Sequence, residues 1–136
     1  VSAVDTAQLI AVCRRRLNTL FNGENPNHFI FTLNCSDSLN LAIKGLVHLG
    51  RANHAICTHI DHNSILRPCN ALQELGRLTQ TRVGVDAGSG LVDPDEIRRA
   101  IRPETRFIAI THASNVSGTV QPIRNIGQIA RAAGVR

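Results

Sequence analysis

The apolar positions of the chain switch between two spacings, one helical and one strand-like. In residues 7–22 the apolar side chains Leu9, Ile10, Val12, Cys13, Leu17, Leu20 and Phe21 recur at roughly helical intervals, with arginines on the other face, which predicts an amphipathic helix. Turn chemistry in Asn22-Gly23-Glu24-Asn25-Pro26-Asn27 ends it. The short apolar run 28–33 predicts a buried strand. Residues 34–38 are small and polar and lead into a helix over 39–49, with Ser36 or Asp37 as its cap and Gly50 closing it. A strand–helix unit then repeats. Strands are predicted over 54–58, 81–85 and 106–111, and helices over 64–75, about 94–101 and 123–133. Pro68 falls in the first turns of its helix, Pro94 at the first helical position, and Gly76 and Gly134 follow helix ends.

Strands alternating with helices of about ten residues imply parallel βαβ units with right-handed crossovers. The expected fold class is α/β, a mainly parallel open sheet with flanking helices. Ligands of such sheets bind outside the carboxyl ends of the strands. This directs attention to the loops 34–38, 59–63 and 112–121.

Composition narrows the classes. Of the 136 residues 43% are hydrophobic and 18% charged, which describes a globular chain rather than a disordered one. No apolar run reaches the ~20 residues of a membrane span, and the first residues lack the pattern of a signal peptide, so a cytoplasmic protein is expected. The net charge of +5 comes from fourteen arginines and a single lysine, Lys44, spread along the chain apart from Arg14-Arg15-Arg16 and Arg98-Arg99. All four aromatic residues are Phe, so stacking platforms for nucleic acid are missing, and solvated helix faces explain the arginines better than a nucleic-acid surface. Cys13, Cys35, Cys57 and Cys69 form no C-x-x-C pair, and reduced, buried thiols are the expectation. Methionine is absent, and Val135-Arg136 reads as the first step into another strand. Residues 1–136 are therefore expected to be a partial domain, truncated at both ends.

Each loop has two readings. Asn34-Cys35-Ser36-Asp37-Ser38 at a helix N-terminus can bind an anion through backbone N–H groups and hydroxyls, or can simply cap the helix. In His59-Ile60-Asp61-His62-Asn63-Ser64 a histidine can move protons, face a planar ligand or bind metal. The C-x-H-x-x-H spacing from Cys57 lacks an evident fourth ligand, so no metal site is expected. The polar groups of 111–122 need either a ligand or a dense network of their own. The glycines of 84–90 do not open into a helix, so a dinucleotide fingerprint is excluded.

Three segments together carry a resemblance. Asp61-His62-Asn63-Ser64-Ile65-Leu66-Arg67-Pro68 resembles the E-H-N-S-x-x-R-P segment of the class V aminotransferase superfamily. Residues 111–122 (THASNVSGTVQP) resemble its H-x-S-N-x-x-G-x-x-Q-P segment, and Asn40-Leu41-Ala42-Ile43-Lys44-Gly45 its N-L-A-I-x-G helix. Order and spacing match over essentially the whole chain, and cysteine desulfurases and selenocysteine lyases are the members it most resembles. The resemblance implies part of the fold-type I large domain and pyridoxal 5′-phosphate as cofactor. It implies phosphate binding at Cys35 and Ser36, with Cys35 the poorer donor, and a ring-facing, proton-moving role for His62. Asn115 would hydrogen-bond the cofactor's 3′ oxygen, with Gln121 and His112 further out. Asp61 stands where Glu is more usual.

The implied reaction converts L-cysteine to L-alanine and an enzyme persulfide, with a homodimer and a sulfur-acceptor protein as partners. Lys44, within the N-L-A-I-K-G helix, does not match the Schiff-base lysine, so residues 1–136 alone are expected to be inactive. Other reactions of the superfamily (transamination, epimerisation, kynureninase-like hydrolysis) and a non-enzymatic nucleic-acid-binding module are the alternatives.

Overall fold

The computed structural model describes residues 2–136, and the chain forms two compact units, Val1–Leu33 and Asn34–Arg136. In the first, helix α1 spans Ala3–Leu20. It starts in a capping box: Ser2 Oγ accepts from Asp5 N, and the Asp5 carboxylate accepts from Ser2 N. Hydrogen bonding around Asp5 lowers its carboxyl pKa. A 3-10 turn follows at Pro26–His28.

The strand expected over 28–33 does not form; residues 29–33 are irregular, with Ile30 68% and Leu33 88% exposed. A strand needs a neighbouring ladder, and this unit's other elements are one helix and one turn. Instead Arg14 fixes the segment: its Nε donates to the Phe29 carbonyl (3.0 Å), and its guanidinium lies 5.6 Å from the centre of the Phe31 ring.

The second unit carries α2 (Cys35–Leu46), β1 (His54–Thr58), α3 (Asn63–Glu74), β2 (Thr79–Val83), α4 (Pro94–Ala100), β3 (Thr105–Ile108) and α5 (Ile123–Ala132). The three strands are parallel in the order β2-β1-β3. The fold class is therefore the expected one. Arg136 also bonds along β3, its carbonyl accepting from Ile108 N and its N–H donating to the Arg106 carbonyl.

β1 is the central strand of the sheet. Its five residues are all buried, yet they alternate between two cores. Ala55 and Cys57 join Ile43, Ile65, Cys69, Leu72, Leu78 and Phe107 on one face. Ile56 joins Val83, Val92, Ile97 and Ile126 on the other.

Boundaries move where side chains override propensity. α2 begins at Cys35 because Asn34 is the cap, its Oδ1 accepting from Asp37 N at 3.0 Å; neither Ser36 nor Asp37 is the cap. α2 also ends at Leu46, short of Gly50. Asn53 holds the chain in a loop there, accepting from His48 N and donating to the carbonyls of His48, Arg51 and Arg77. Pro68 lies in the second turn of α3, beyond the first-turn N–H groups that lack helical partners.

His54 lies fully buried at the start of β1, with Nδ1 2.8 Å from Thr105 Oγ1 and Nε2 2.9 Å from Thr81 Oγ1. Burial lowers its pKa, Arg102 adds to that, and Glu104 opposes it. The unfolded chain therefore takes up this proton first as pH falls. The contribution is whole above about pH 6.5 and is lost on going lower. Urea midpoints are expected to fall between about pH 6.5 and 5 in the protein, and to fall less in His54→Gln.

Candidate active site

The site forms where the carboxyl ends of β1 and β3 meet the N-termini of α2 and α3. Two neighbouring cavities share His62 and Asn63 in their walls. One, of about 440 Å³, is lined by Ser36, Asn40, Ser64, Arg67 and Pro68 as well. The other, of about 410 Å³, is lined by Asp61, Thr111, Ser114, Asn115 and Val116 among others.

The first cavity has the character of an anion site. Ser36 stands in the first turn of α2, a helix of 12 residues. Once Asn34 has taken the Asp37 N–H, the N–H groups of Cys35 and Ser36 remain without partners among the described residues. Free N–H groups at the positive end of a helix favour an anion. Ser36 Oγ lies 2.6 Å from Ser64 Oγ, and the exposed Arg67 adds a cation to the wall. Cys35 is exposed as the first residue of α2, but its thiol does not line this wall.

His62 sits at the junction as the cap of α3. Ser64 N donates to its Nδ1 at 3.1 Å, and Ser64 Oγ lies 3.0 Å from the same nitrogen. Because a backbone N–H can only donate, Nδ1 keeps its lone pair and Nε2 carries the proton in the neutral ring. The ring is exposed rather than packed in a core.

Asp61 sets this geometry, and sequence reasoning gave it no role beyond replacing Glu. It is 6% exposed, and its two carboxylate oxygens accept from Thr58 N and Thr111 N, each at 2.6 Å. One side chain thereby ties the loop after β1 to the chain leaving β3.

Residues 112–121 settle the choice left open for this loop largely toward its own network. Ala113 and Val120 form an antiparallel bridge, Ser114 N donates to the Thr119 carbonyl, and Gly118 N to the Ser114 carbonyl. Ser114 Oγ accepts from Val116 N and Ser117 N. Gly118, at φ 73°, supplies the left-handed residue of this hairpin. Within it Asn115 is exposed and its side chain makes no hydrogen bond among the described residues, leaving its amide available at the wall of the second cavity.

Gln121 is placed differently. It is 4% exposed, its Oε1 accepts from Val92 N, and its Nε2 donates to the Gly90 carbonyl, so it anchors the hairpin to the 86–92 turn and lines neither cavity. His112 is exposed, and its carbonyl accepts from Gln121 N.

Cys57 and Cys69 lie in the core. Burial, helped by Cys69 and Asp61, pushes the Cys57 thiol up to about 12, and burial pushes Cys69 up to about 11. Both are protonated at neutral pH and serve as packing. Cys13 and Cys35, expected to be buried, are exposed: Cys13 lies on α1, none of whose described residues is buried, and Cys35 opens α2. Among the described residues no three His, Cys, Asp or Glu side chains converge as a metal site. Arg98 and Arg99 pair with Asp95 and Glu96, which accounts for one of the two arginine clusters.

A parallel sheet whose carboxyl edge gathers a helix N-terminus, a histidine cap and an exposed amide has the layout of a ligand site of the α/β class. Comparison with known proteins agrees: residues 2–136 match the class-V aminotransferase family, and the chain belongs to it. Pyridoxal 5′-phosphate is the cofactor of that family. A cysteine desulfurase IscS of Dictyoglomus turgidum is 37% identical over 111 residues, 80% of this chain and 28% of the relative. One from Methanosarcina thermophila is 40% identical over 111 residues, 80% and 27% respectively. The solved structure of SspA in complex with cysteine superposes with a TM-score of 0.90 at 34% identity, over 98% of this chain and 38% of that one. The chain thus spans between about a quarter and two-fifths of the length of these proteins.

Proposed function

We propose that residues 1–136 are the cofactor-holding part of a pyridoxal-phosphate-dependent cysteine desulfurase. The observation that carries this is the pair of cavities meeting at His62. One end is built for an anion and the other is bordered by a free amide, a division that suits a phosphate joined to a polar ring. The donor set fits the group. Ser36, the N–H groups of Cys35 and Ser36, and Arg67 would hold the phosphate, and His62 and Asn115 would flank the ring.

When bound, the cofactor supplies the electron sink for bond cleavage at an amino acid. The chain's own contribution is positioning and polarity. Asp61 fixes two loops, α2 presents its positive end, and His62 holds a proton on Nε2 with Nδ1 tied to Ser64. Lys44, the one lysine among the 136 residues, lies in the last turn of α2 and lines neither cavity. In this reading Lys44 is therefore not the amine that bonds the cofactor.

The reaction in this reading takes L-cysteine to L-alanine and leaves a persulfide on a protein cysteine. It includes a homodimer, a sulfur-acceptor protein and a cytoplasmic setting. Among the described residues no helix is long and apolar enough to cross a membrane.

The test is turnover by the full-length protein. Loaded with pyridoxal phosphate and given L-cysteine and a thiol reductant, it is expected to release alanine and sulfide in equal amounts. Amino transfer to an oxo acid without sulfide would assign it to another reaction of the family. Failure to take up the cofactor would refute the reading.

A further inference from the structure

Ser64 joins the two halves of the site by a hydroxyl chain. Its Oγ stands 2.6 Å from Ser36 Oγ on one side and 3.0 Å from His62 Nδ1 on the other, and its own N–H donates to the same Nδ1 at 3.1 Å. At 2.6 Å two hydroxyl oxygens need a proton between them. Each serine has one proton to give, and three acceptors compete for the two: Ser64 or Ser36 as the partner hydroxyl, His62 Nδ1, and any anion at the N-terminus of α2.

Two arrangements satisfy this count. Without an anion, Ser36 O–H is free to donate to Ser64 Oγ and Ser64 O–H to His62 Nδ1, whose one lone pair it then shares with the Ser64 N–H. A phosphate dianion offers only acceptors and, as a charged acceptor, draws the Ser36 proton away from the neutral Ser64 hydroxyl. The short contact then requires Ser64 to donate to Ser36, and His62 Nδ1 loses its hydroxyl donor while keeping the Ser64 N–H.

We propose that Ser64 is a positioning residue that transmits anion occupancy at the α2 N-terminus to the hydrogen bonding of the His62 ring. The proposal deepens the cofactor-site reading and rests on it for the identity of the anion, but the hydroxyl switch itself needs only the phosphate group. It gives the site an order: the phosphate end fills, the hydroxyls reverse, and His62 Nδ1 is left with one donor in place of two. Arg67 lies on the wall of the same anion cavity, so Ser36 is not the anion's only partner there and the signal need not weaken the grip.

The test uses inorganic phosphate, which fills the anion end without touching the ring end. In the full-length apoprotein, the ¹⁵N shifts of the His62 ring are followed through a phosphate titration. A saturable shift of Nδ1 is expected in the wild type. In Ser64→Ala phosphate should still bind, within about threefold of the wild-type affinity, but the Nδ1 response should drop by more than half. Ser64→Thr, which keeps the hydroxyl, should restore it. These margins are of the size expected for one hydrogen bond in a partly exposed site.

In the loaded protein, Ser64→Ala should lower kcat by roughly tenfold with little change in KM, and Ser64→Thr should recover most of the loss. An equal Nδ1 response in wild type and Ser64→Ala overturns the proposal. So does a Thr variant no better than Ala, which would show that only helix packing was disturbed, and so does the absence of saturable phosphate binding. Failure of the desulfurase reading is seen separately, as wild-type protein that binds phosphate and shows the Nδ1 response yet yields no alanine from cysteine.

Discussion

Replacing Asp61 by alanine is expected to cost about 3 kcal/mol of stability, because it strands two buried or half-buried backbone N–H groups at once. The carboxylate accepts from Thr58 N and Thr111 N at 2.6 Å each, and Thr58 is 1% exposed. Thr58 lies beyond the last β1–β3 pair, at Ile56 and Ile108, and Thr111 follows the end of β3, so the β1–β3 ladder does not serve these amides. The same change releases the loop bearing His62 from the chain leading to Asn115. Cofactor affinity should therefore fall by more than tenfold, beyond what lost stability explains. Asp61→Asn keeps one carbonyl oxygen and turns an NH₂ toward the second N–H, so it should lose roughly half as much stability. Urea unfolding and a pyridoxal phosphate titration on the three proteins check this. An alanine variant within about 0.5 kcal/mol of wild type would show that water satisfies the two amides and that Asp61 does not hold the site.

The second large effect concerns His62. Its imidazole is at once the cap of α3 and the group shared by both cavities, so alanine would confuse two roles. Asparagine separates them. Its side-chain oxygen can accept the Ser64 N–H as well as Nδ1 does, being among the best caps for a helix. Stability of His62→Asn should thus stay within about 1 kcal/mol of wild type. Loss of the ring and its mobile proton should lower kcat for cysteine by roughly 100-fold or more. Full activity in a folded His62→Asn protein would remove His62 from the chemistry.

Sequence periodicity disclosed the parallel α/β fold because short buried strands alternate with amphipathic helices, and α3, which follows β1, ends in a turn at Gly76. It failed at 28–33, where the apolar residues have the composition of a strand but no ladder partner in their unit. An apolar run reports what a segment would bury, not whether a neighbour is there to bond it. Within the site, the loops were legible because small polar residues followed predicted strands; two of the family-like segments singled out His62 and Asn115, and the 34–38 loop singled out Ser36.

Asp61 and Ser64 were not legible as organisers. Asp61 acts across fifty positions on Thr111, and Ser64 across 28 on Ser36, and no local pattern encodes such pairings. Arg67 had a signal that could have found it, because its spacing of three from Ser64 on one helix puts both on one face. Gln121 shows the opposite case: a polar side chain in a site segment whose amide is spent on Val92 and Gly90.

The central claim is that one site holds a phosphate at the start of α2 and a planar ring beside His62. A crystal structure of the full-length protein loaded with pyridoxal phosphate tests this most directly. The account predicts phosphate oxygens at about 3 Å from Ser36 Oγ and from the N–H groups of Cys35 and Ser36, with the ring between His62 and Asn115. A phosphate bound away from the α2 N-terminus, or a ring out of reach of both His62 and Asn115, would contradict it.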